Sequence, residues 1–273
     1  MDEHPLHETS LKITHSSVRL PLAPADDGRA LGEITALIDT PEEPHGRVLL
    51  FHGFGRGPDA LDALALAIAQ AGIWVMRPHL RSRPAKGGLN DRDLMAAVGF
   101  AATAFEPDAG PLVIVAHSAG GAVGMRAAQR LLAAGVRLEG VVLLDANGNV
   151  EQIMQPALDA LREAGVPVRT VAAAAGRCNK KAQIARWLGD QDLGFAGVQL
   201  TSGMHCDAED DKADLTCRLL CGGAVDPRNA AVLRALVVGW VRGWIAGQDD
   251  ADLLPGGRRL QVWQDLDVIQ LID

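Results

Sequence analysis

Short apolar runs alternate with longer amphipathic segments through most of the chain. Six short, largely apolar runs predict strands buried on both faces, and they cover residues 48–51, 73–76, 112–116, 141–144, 166–172 and 198–201. Helical periodicity predicts helices at residues 59–71, 91–105, 119–134, 151–164, 180–188 and 230–246. This order of elements indicates an α/β fold, in which helices cover both faces of a parallel sheet.

Two segments near the N-terminus have a different pattern. Residues 11–20 and 32–39 alternate between polar and apolar positions, which favours an antiparallel pair at the edge of the sheet. We therefore predict a mostly parallel, eight-stranded sheet flanked by helices. No repeat or linker divides the chain, so residues 1–273 are interpreted as a single domain, with a core at about 11–247 and a C-terminal tail at 248–273.

The composition of the chain argues against some classes of binding partner. The 273 residues include 26 Lys or Arg and 34 Asp or Glu, which gives a formal net charge of −8, and aromatic residues make up only 4%. Such a chain is poorly equipped to neutralise phosphates or to stack bases, which argues against nucleic-acid binding. Its apolar stretches are interrupted by polar and charged residues, so we expect no integral membrane segment. The oligomeric state stays open.

The oxidation state of the cysteines depends on the cellular compartment of the protein. The N-terminus has no basic segment followed by an apolar run, which predicts a cytoplasmic protein, or a periplasmic or secreted one if a leader has been removed. The four cysteines contain no C-x-x-C pair, so we expect no metal site, and free thiols and two disulfides are both open. They are Cys178, Cys206, Cys217 and Cys221.

A serine follows the third of the six buried runs. Ser118 lies between that run and a long helical pattern, and small residues flank it in Ala116-His117-Ser118-Ala119-Gly120. This is the context of a nucleophile elbow, a sharp turn that presents a serine hydroxyl above the sheet. Ala116 stands where a glycine is usual. A serine that only caps the helix is the structural alternative.

A serine nucleophile needs a base and an acid that orients the base. In the chain order Ser, acid, His, the base must follow Ser118, and His205 is the only histidine that does. Asp145 directly follows the run 141–144, which places it at the same edge of the sheet, whereas the other carboxylates between the two residues fall in helices or before strands. Asn179, after the next run, offers only neutral hydrogen bonds.

The glycine-rich segment after the first buried run suits an oxyanion hole. It reads His52-Gly53-Phe54-Gly55-Arg56-Gly57 and lacks the ending of a phosphate-binding P-loop. We expect the backbone N–H groups of Phe54 and Ala119 to be the two oxyanion donors. Gly53 and His117 are expected to line the substrate site.

Together these motifs resemble those of the α/β-hydrolases, and more closely those of the chlorophyllase-like, lidless lipases and esterases. The resemblance covers nearly the whole chain. It rests on the H-G-F segment at 52–54, on Asp145 after its strand, on the segment His205-Cys206-Asp207-Ala208-Glu209, and on the Cys178-Asn179 pair. It implies an α/β-hydrolase fold and hydrolysis of carboxylic esters through an acyl-enzyme, with no cofactor.

The segments around this predicted site indicate an open cleft. Residues 146–165 have room for one helix, so we expect no large cap domain and a cleft suited to small-molecule or lipid-like esters that are long or bulky. An acyltransferase or thioesterase would use the same triad, and a non-catalytic binding protein is a further alternative. The basic segment 81–90 and the acidic segment 207–214 are both interpreted as solvated surface, with an acidic substrate and a cation as their alternative ligands.

Overall fold

The computed structural model describes residues 12–22, 32–83, 88–89, 93–94, 96–98 and 110–272. Within them the chain forms a nine-stranded sheet and a two-stranded ribbon. The large sheet contains β1 (Ile13–Pro21), β2 (Glu33–Pro41), β3 (Arg47–Phe51), β4 (Trp74–Pro78), β7 (Leu112–His117), β8 (Leu138–Leu144), β9 (Val168–Ala172), β10 (Gly197–Leu200) and β11 (Ile269–Ile272). The ribbon pairs β5 (Ser82–Arg83) with β6 (Gly88–Leu89).

The middle of the large sheet is parallel and its two edges are antiparallel. Strands β4, β3, β7, β8, β9 and β10 are neighbours in that order and run in one direction. At one edge β1 and β2 form the antiparallel pair that their alternating pattern predicts, and β2 joins the sheet beside β4. The predicted α/β class and the mostly parallel sheet are confirmed.

The number of strands corrects the sequence analysis, which predicts eight. Residues after 247, interpreted as a tail, contribute a helix and the ninth strand. This strand, β11, pairs antiparallel with β10, from Gly197 opposite Ile272 to Leu200 opposite Ile269. Only Ile269 of β11 is buried, although three of its four residues are apolar, and so short a segment gives little periodicity from which to predict a strand. The single domain stays a prediction.

The helices with described bounds flank this sheet. A 3-10 turn (Pro58–Leu61) directly precedes the helix that begins at Asp62, and a π turn (Val150–Met154) directly precedes the helix that begins at Gln155. The predicted helix at 91–105 lies mostly outside the described residues. The helices are α1 (Asp62–Gln70), α2 (Gly120–Ala133), α3 (Gln155–Glu163), α4 (Gln183–Gly189), α5 (Leu215–Cys221), α6 (Pro227–Ile245) and α7 (Arg258–Asp265).

Successive side chains of the central strands enter two cores on opposite faces of the sheet. On β7, Val113 and Val115 pack with the core that contains α1 and α6. Ile114 and Ala116 pack with the core that contains α2 and α3. Every residue of β7 is buried, which explains why its sequence is a continuous apolar run rather than an alternation.

The connection from β8 to β9 is short. Residues 145–167 contain the π turn and α3 and no further regular element, so no large cap domain is inserted there, as predicted. Among the described helices, none has both the length and the apolar composition needed to cross a bilayer. The carboxyl ends of β3, β7, β8 and β9 meet at one edge of the sheet, and the chain after each end contributes to the site described below.

Candidate active site

Ser118 occupies a sharp turn between β7 and α2. Its φ is +56°, a left-handed conformation that non-glycine residues rarely adopt. Three backbone hydrogen bonds hold the turn: Ser118 N–H donates to the Leu144 carbonyl at 3.0 Å, and the Ser118 carbonyl accepts from Gly121 at 2.9 Å and Asn147 at 2.8 Å. The strained turn is therefore fixed from the neighbouring strand β8 as well as from its own helix.

Small residues allow the close approach of this turn to its surroundings. A Cβ on Gly120 would lie 2.5 Å from the His52 carbonyl oxygen, and one on Gly121 would lie 2.4 Å from Ala146 Cβ. The unusual Ala116 is accommodated in the same way, because a Cβ on Gly124 would lie 2.7 Å from the Ala116 methyl. A glycine one turn into α2 thus provides the space that the alanine at 116 takes up.

The three predicted triad residues lie in one hydrogen-bonded line. Ser118 Oγ lies 2.8 Å from His205 Nε2, and His205 Nδ1 lies 2.5 Å from Asp145 Oδ2. All three side chains are nearly buried, with exposed fractions of 8%, 8% and 6% for Ser118, His205 and Asp145. The arrangement matches an imidazole that donates from Nδ1 to the carboxylate and accepts from the serine hydroxyl at Nε2.

Asp145 is held by a residue that sequence reasoning did not assign to the site. Its Oδ1 accepts from Asn179 Nδ2 at 2.9 Å and from the Ala173 N–H at 3.0 Å, which leaves Oδ2 for His205. Asn179 is 2% exposed and also bonds the backbone of Ala174, Gly176 and Ala182. All four hydrogen bonds of the amide are made, so Asn179 fixes both the carboxylate and the loop at 176–182.

His117 packs against His205 and also lines the cleft. Its Nε2–H donates to the backbone carbonyl of His205 at 3.0 Å, and the two imidazole rings are 4.9 Å apart. Burial, followed by the nearby His205, lowers the pKa of His117 to about 3. A neutral His117 thus holds the backbone of His205 in place through this hydrogen bond.

The glycine-rich segment after β3 borders Ser118. A Cβ on Gly53 would lie 3.1 Å from Ser118 Cβ, so only glycine fits there without a shift. Gly53, Phe54 and Ala119 all line the cleft beside Ser118. Within the described part of the chain, the N–H groups of Phe54 and Ala119 donate no hydrogen bond. Both groups are thus available to an acceptor in the cleft.

An ion pair ties this segment to the stretch that bears His205. Arg56 Nε donates to Glu209 Oε1 at 3.0 Å, and a second nitrogen of the same guanidinium lies 2.5 Å from Asp214. The interpretation of 207–214 as solvated surface is wrong for Asp207 and Glu209, which are 1% and 2% exposed. Burial raises the pKa of the Glu209 carboxyl, while Arg56 lowers it in part. Asp207 and Glu209 are therefore part of the packed structure around the site, whereas Asp211 and Asp214 are exposed.

Two disulfides hold α5 at the rim of the cleft. Cys206 is bonded to Cys217 and Cys178 to Cys221, which decides between the thiol and disulfide alternatives. None of the α5 residues is buried, so the bridges rather than a core fix this helix in place. They connect α5 to the segment after His205 and to the loop that contains Asn179.

The buried His52 should make the folded protein less stable as the pH falls. Burial lowers its pKa to about 4, and its Nε2 accepts from the Leu80 N–H at 3.0 Å, a bond that protonation would break. Between about pH 6.5 and this value the unfolded chain binds a proton that the folded chain does not, so stability falls as the pH falls. Between about pH 7.5 and about pH 4.5, the free energy of unfolding of the wild type should therefore decrease by about 2–3 kcal/mol more than that of His52→Gln.

Urea unfolding of both proteins at the two pH values measures this difference. The comparison cancels the buried acids Asp207 and Glu209, whose raised pKa values act in the opposite direction in both proteins. His45→Gln is the matched control, because it makes the same change at an exposed histidine that does not contribute to the His52 pKa shift. Equal pH dependence in wild type and His52→Gln would contradict the assignment of a neutral, buried His52.

The chain is similar to a known protein family in sequence and to solved structures in fold. A sequence model described as the alpha/beta hydrolase family matches residues 48–273. No curated protein sequence matches significantly.

Solved structures share the fold at low identity. Carboxyl esterase 2 from the fungus Tuber melanosporum is 14% identical, with a TM-score of 0.59 over 89% of this chain and 90% of that one. A bacterial heroin esterase is 14% identical, with a TM-score of 0.55 over 85% and 84%. An esterase from the archaeon Pyrobaculum calidifontis is 16% identical, with a TM-score of 0.55 over 82% and 86%.

Proposed function

Because the chain belongs to the alpha/beta hydrolase family, we propose that it is a serine esterase that hydrolyses carboxylic esters through an acyl-enzyme. The observation that carries this proposal is the line of hydrogen bonds from Ser118 through His205 to Asp145. Esterase activity of the structural neighbours is consistent with it. The chlorophyllase-like branch stays a narrower prediction.

Each member of the line has a proposed role. His205 Nε2 takes the proton of Ser118 Oγ while the oxygen attacks the ester carbonyl, and the imidazolium then protonates the leaving alkoxide. Asp145 holds the imidazole in the required tautomer and stabilises its positive form. Water, activated by the same histidine, next attacks the acyl-enzyme and releases the acid. The mechanism uses no metal and no organic cofactor.

The tetrahedral intermediate carries a negative oxygen that needs preorganised donors. We assign this role to the N–H groups of Phe54 and Ala119, which line the cleft and are otherwise unused. Gly53 lines the substrate site beside them. The ion pair between Arg56 and Glu209 positions this loop against the segment that bears His205.

The size of the cleft and its apolar walls are consistent with large ester substrates. The cleft measures about 1130 Å³, and no cap domain follows β8. Phe54 and Leu220, which are 42% and 56% exposed, place apolar surface along its walls. We therefore propose long or bulky esters, including lipid-like ones. An acyltransferase or thioesterase with the same triad is the second candidate, since the two reactions differ only in the acceptor or the leaving group.

The two disulfides bear on the compartment. Disulfides persist in oxidising environments and are rare in the cytosol. The pairs Cys178–Cys221 and Cys206–Cys217 therefore favour the periplasmic or secreted alternative over the cytoplasmic one.

Labelling and turnover together test the proposal. We expect a fluorophosphonate probe to modify Ser118, as located by peptide mass spectrometry, and p-nitrophenyl esters of several chain lengths to be hydrolysed. Faster acyl transfer to an added alcohol or thiol than to water would favour the transferase instead. If the chain neither reacts with the probe nor hydrolyses any ester, the proposal would be wrong and the non-catalytic alternative would be favoured.

A further inference from the structure

The cleft is more positive than the protein around it. The whole chain has a formal net charge of −8. Both described acidic residues that line the cleft, Glu209 and Asp214, pair with Arg56. Among the described residues, the cations that line the cleft are Arg56, Arg126, Arg177 and Lys180. Within this part of the chain, the cleft around Ser118 is therefore lined by more cations than carboxylates.

The loop at 176–182 presents two of these cations. Arg177 and Lys180 are exposed and line the cleft, and within the described residues neither side chain pairs with a carboxylate. The loop is firmly anchored between them: Cys178 is bonded to Cys221, and its carbonyl accepts from Asn147 Nδ2 at 2.7 Å. The buried Asn179 ties the same loop to Asp145. The backbone that carries Arg177 and Lys180 is thus fixed at the cleft that also contains Ser118 and His205.

The backbone of this loop is unusual. Lys180, Lys181 and Ala182 have φ values of +50°, +60° and +57°, so three consecutive non-glycine residues are left-handed. Backbone strain of this kind persists where the surroundings impose it and is concentrated at functional sites. In this loop Lys180 lines the cleft, whereas Lys181, which is also exposed, does not.

We propose that the substrate is an ester that carries a carboxylate close to the scissile bond, such as a half-ester of a dicarboxylic acid. This inference rests on the proposed esterase function. Arg177 and Lys180 supply the attraction for the carboxylate, and a neutral ester of the same length gains nothing from them. Hydrolysis of a half-ester consumes one water and releases the dicarboxylic acid and the alcohol, so the known chemistry of the triad is sufficient.

Two matched pairs of esters test the charge preference. In the first pair the carboxylate is on the acyl group: mono-p-nitrophenyl adipate is compared with p-nitrophenyl hexanoate. In the second it is on the leaving group: 4-carboxyphenyl hexanoate is compared with 4-carbamoylphenyl hexanoate. The measured quantity is kcat/KM for the anionic ester divided by kcat/KM for the neutral one, which cancels general effects on the enzyme.

Lys181→Gln is the matched control for the double variant Arg177→Gln, Lys180→Gln. Lys180 and Lys181 are neighbouring, exposed and left-handed, and only Lys180 lines the cleft. For at least one pair of esters the double variant should lower the ratio by about fivefold, because exposed ion pairs are individually weak. Lys181→Gln should leave the ratio unchanged, and raising the salt from about 0.05 M to about 0.5 M should lower it in the wild type.

The outcomes separate this inference from the proposed function. If neutral esters are hydrolysed but neither ratio responds to the double variant or to salt, the esterase stands and the charge preference is wrong. A decrease in Lys181→Gln of about half that of the double variant on a logarithmic scale would also overturn it, because Lys181→Gln removes one positive charge and the double variant two, so the effect would then follow the net charge of the protein. If no ester is hydrolysed, the proposed function fails and the inference fails with it.

Discussion

Replacing Ser118 by alanine should lower kcat for p-nitrophenyl esters by about 10⁴- to 10⁶-fold. The change removes Oγ, the atom that lies 2.8 Å from His205 Nε2. Without it no acyl-enzyme can form, and the residual rate comes from substrate binding and the oxyanion donors alone. Initial rates measured over a wide range of enzyme concentration, together with loss of fluorophosphonate labelling, check this expectation.

Two controls show that such a loss is chemical. Alanine at 118 meets the same left-handed backbone as serine, at +56°, so thermal unfolding of the variant should stay close to that of the wild type. Ser202→Ala makes the same change at an exposed serine away from the cleft and should keep full activity. A Ser118→Ala protein that retains a tenth of the wild-type rate would remove Ser118 from the mechanism.

The positions of Ser118 and Asp145 could be predicted because each directly follows a buried strand, and His205 because it is the only histidine after Ser118. A run that is apolar on both faces identifies a strand of a parallel sheet without knowledge of its neighbours. Strands of such a sheet share one edge, so residues after their carboxyl ends come together even when they are far apart in the chain. The order of elements alone therefore brings the three side chains near each other.

Asn179 and Glu209 could not be assigned in the same way. A polar side chain on a loop has the same local sequence whether it faces water or a buried carboxylate. Asn179 meets Asp145 across 34 positions, and Glu209 meets Arg56 across 153. Their burial depends on how two loops pack after the sheet has formed, and no periodic pattern reports that contact.

Ala116 shows that the elbow motif limits the volume of the side chain at that position and does not require glycine itself. The usual glycine allows the strand to approach the following helix. Here the methyl of Ala116 fits because Gly124 leaves a space where a Cβ would come within 2.7 Å of it. A change at one position of the elbow is thus compensated eight residues later, on the facing surface of α2.

Asp145 illustrates how the surrounding donors decide the effect of a substitution. In Asp145→Asn the shape of the side chain is kept, but one oxygen becomes an NH2 group. The Asn179 Nδ2 and the Ala173 N–H both donate to Oδ1, at 2.9 Å and 3.0 Å, so the remaining oxygen of the new amide must stay at that position. The NH2 group then faces His205 Nδ1, where the carboxylate oxygen was.

This orientation places a donor where His205 needs an acceptor. Nδ1 must then be unprotonated and Nε2 must carry the hydrogen, so the imidazole cannot take the proton of Ser118 at neutral pH. We expect Asp145→Asn to lower kcat by about 10⁴-fold, with thermal unfolding close to that of the wild type. Asp159→Asn, the same change on the exposed face of α3, should leave kcat unaltered. A folded Asp145→Asn protein with kcat within tenfold of the wild type would mean that another group orients His205.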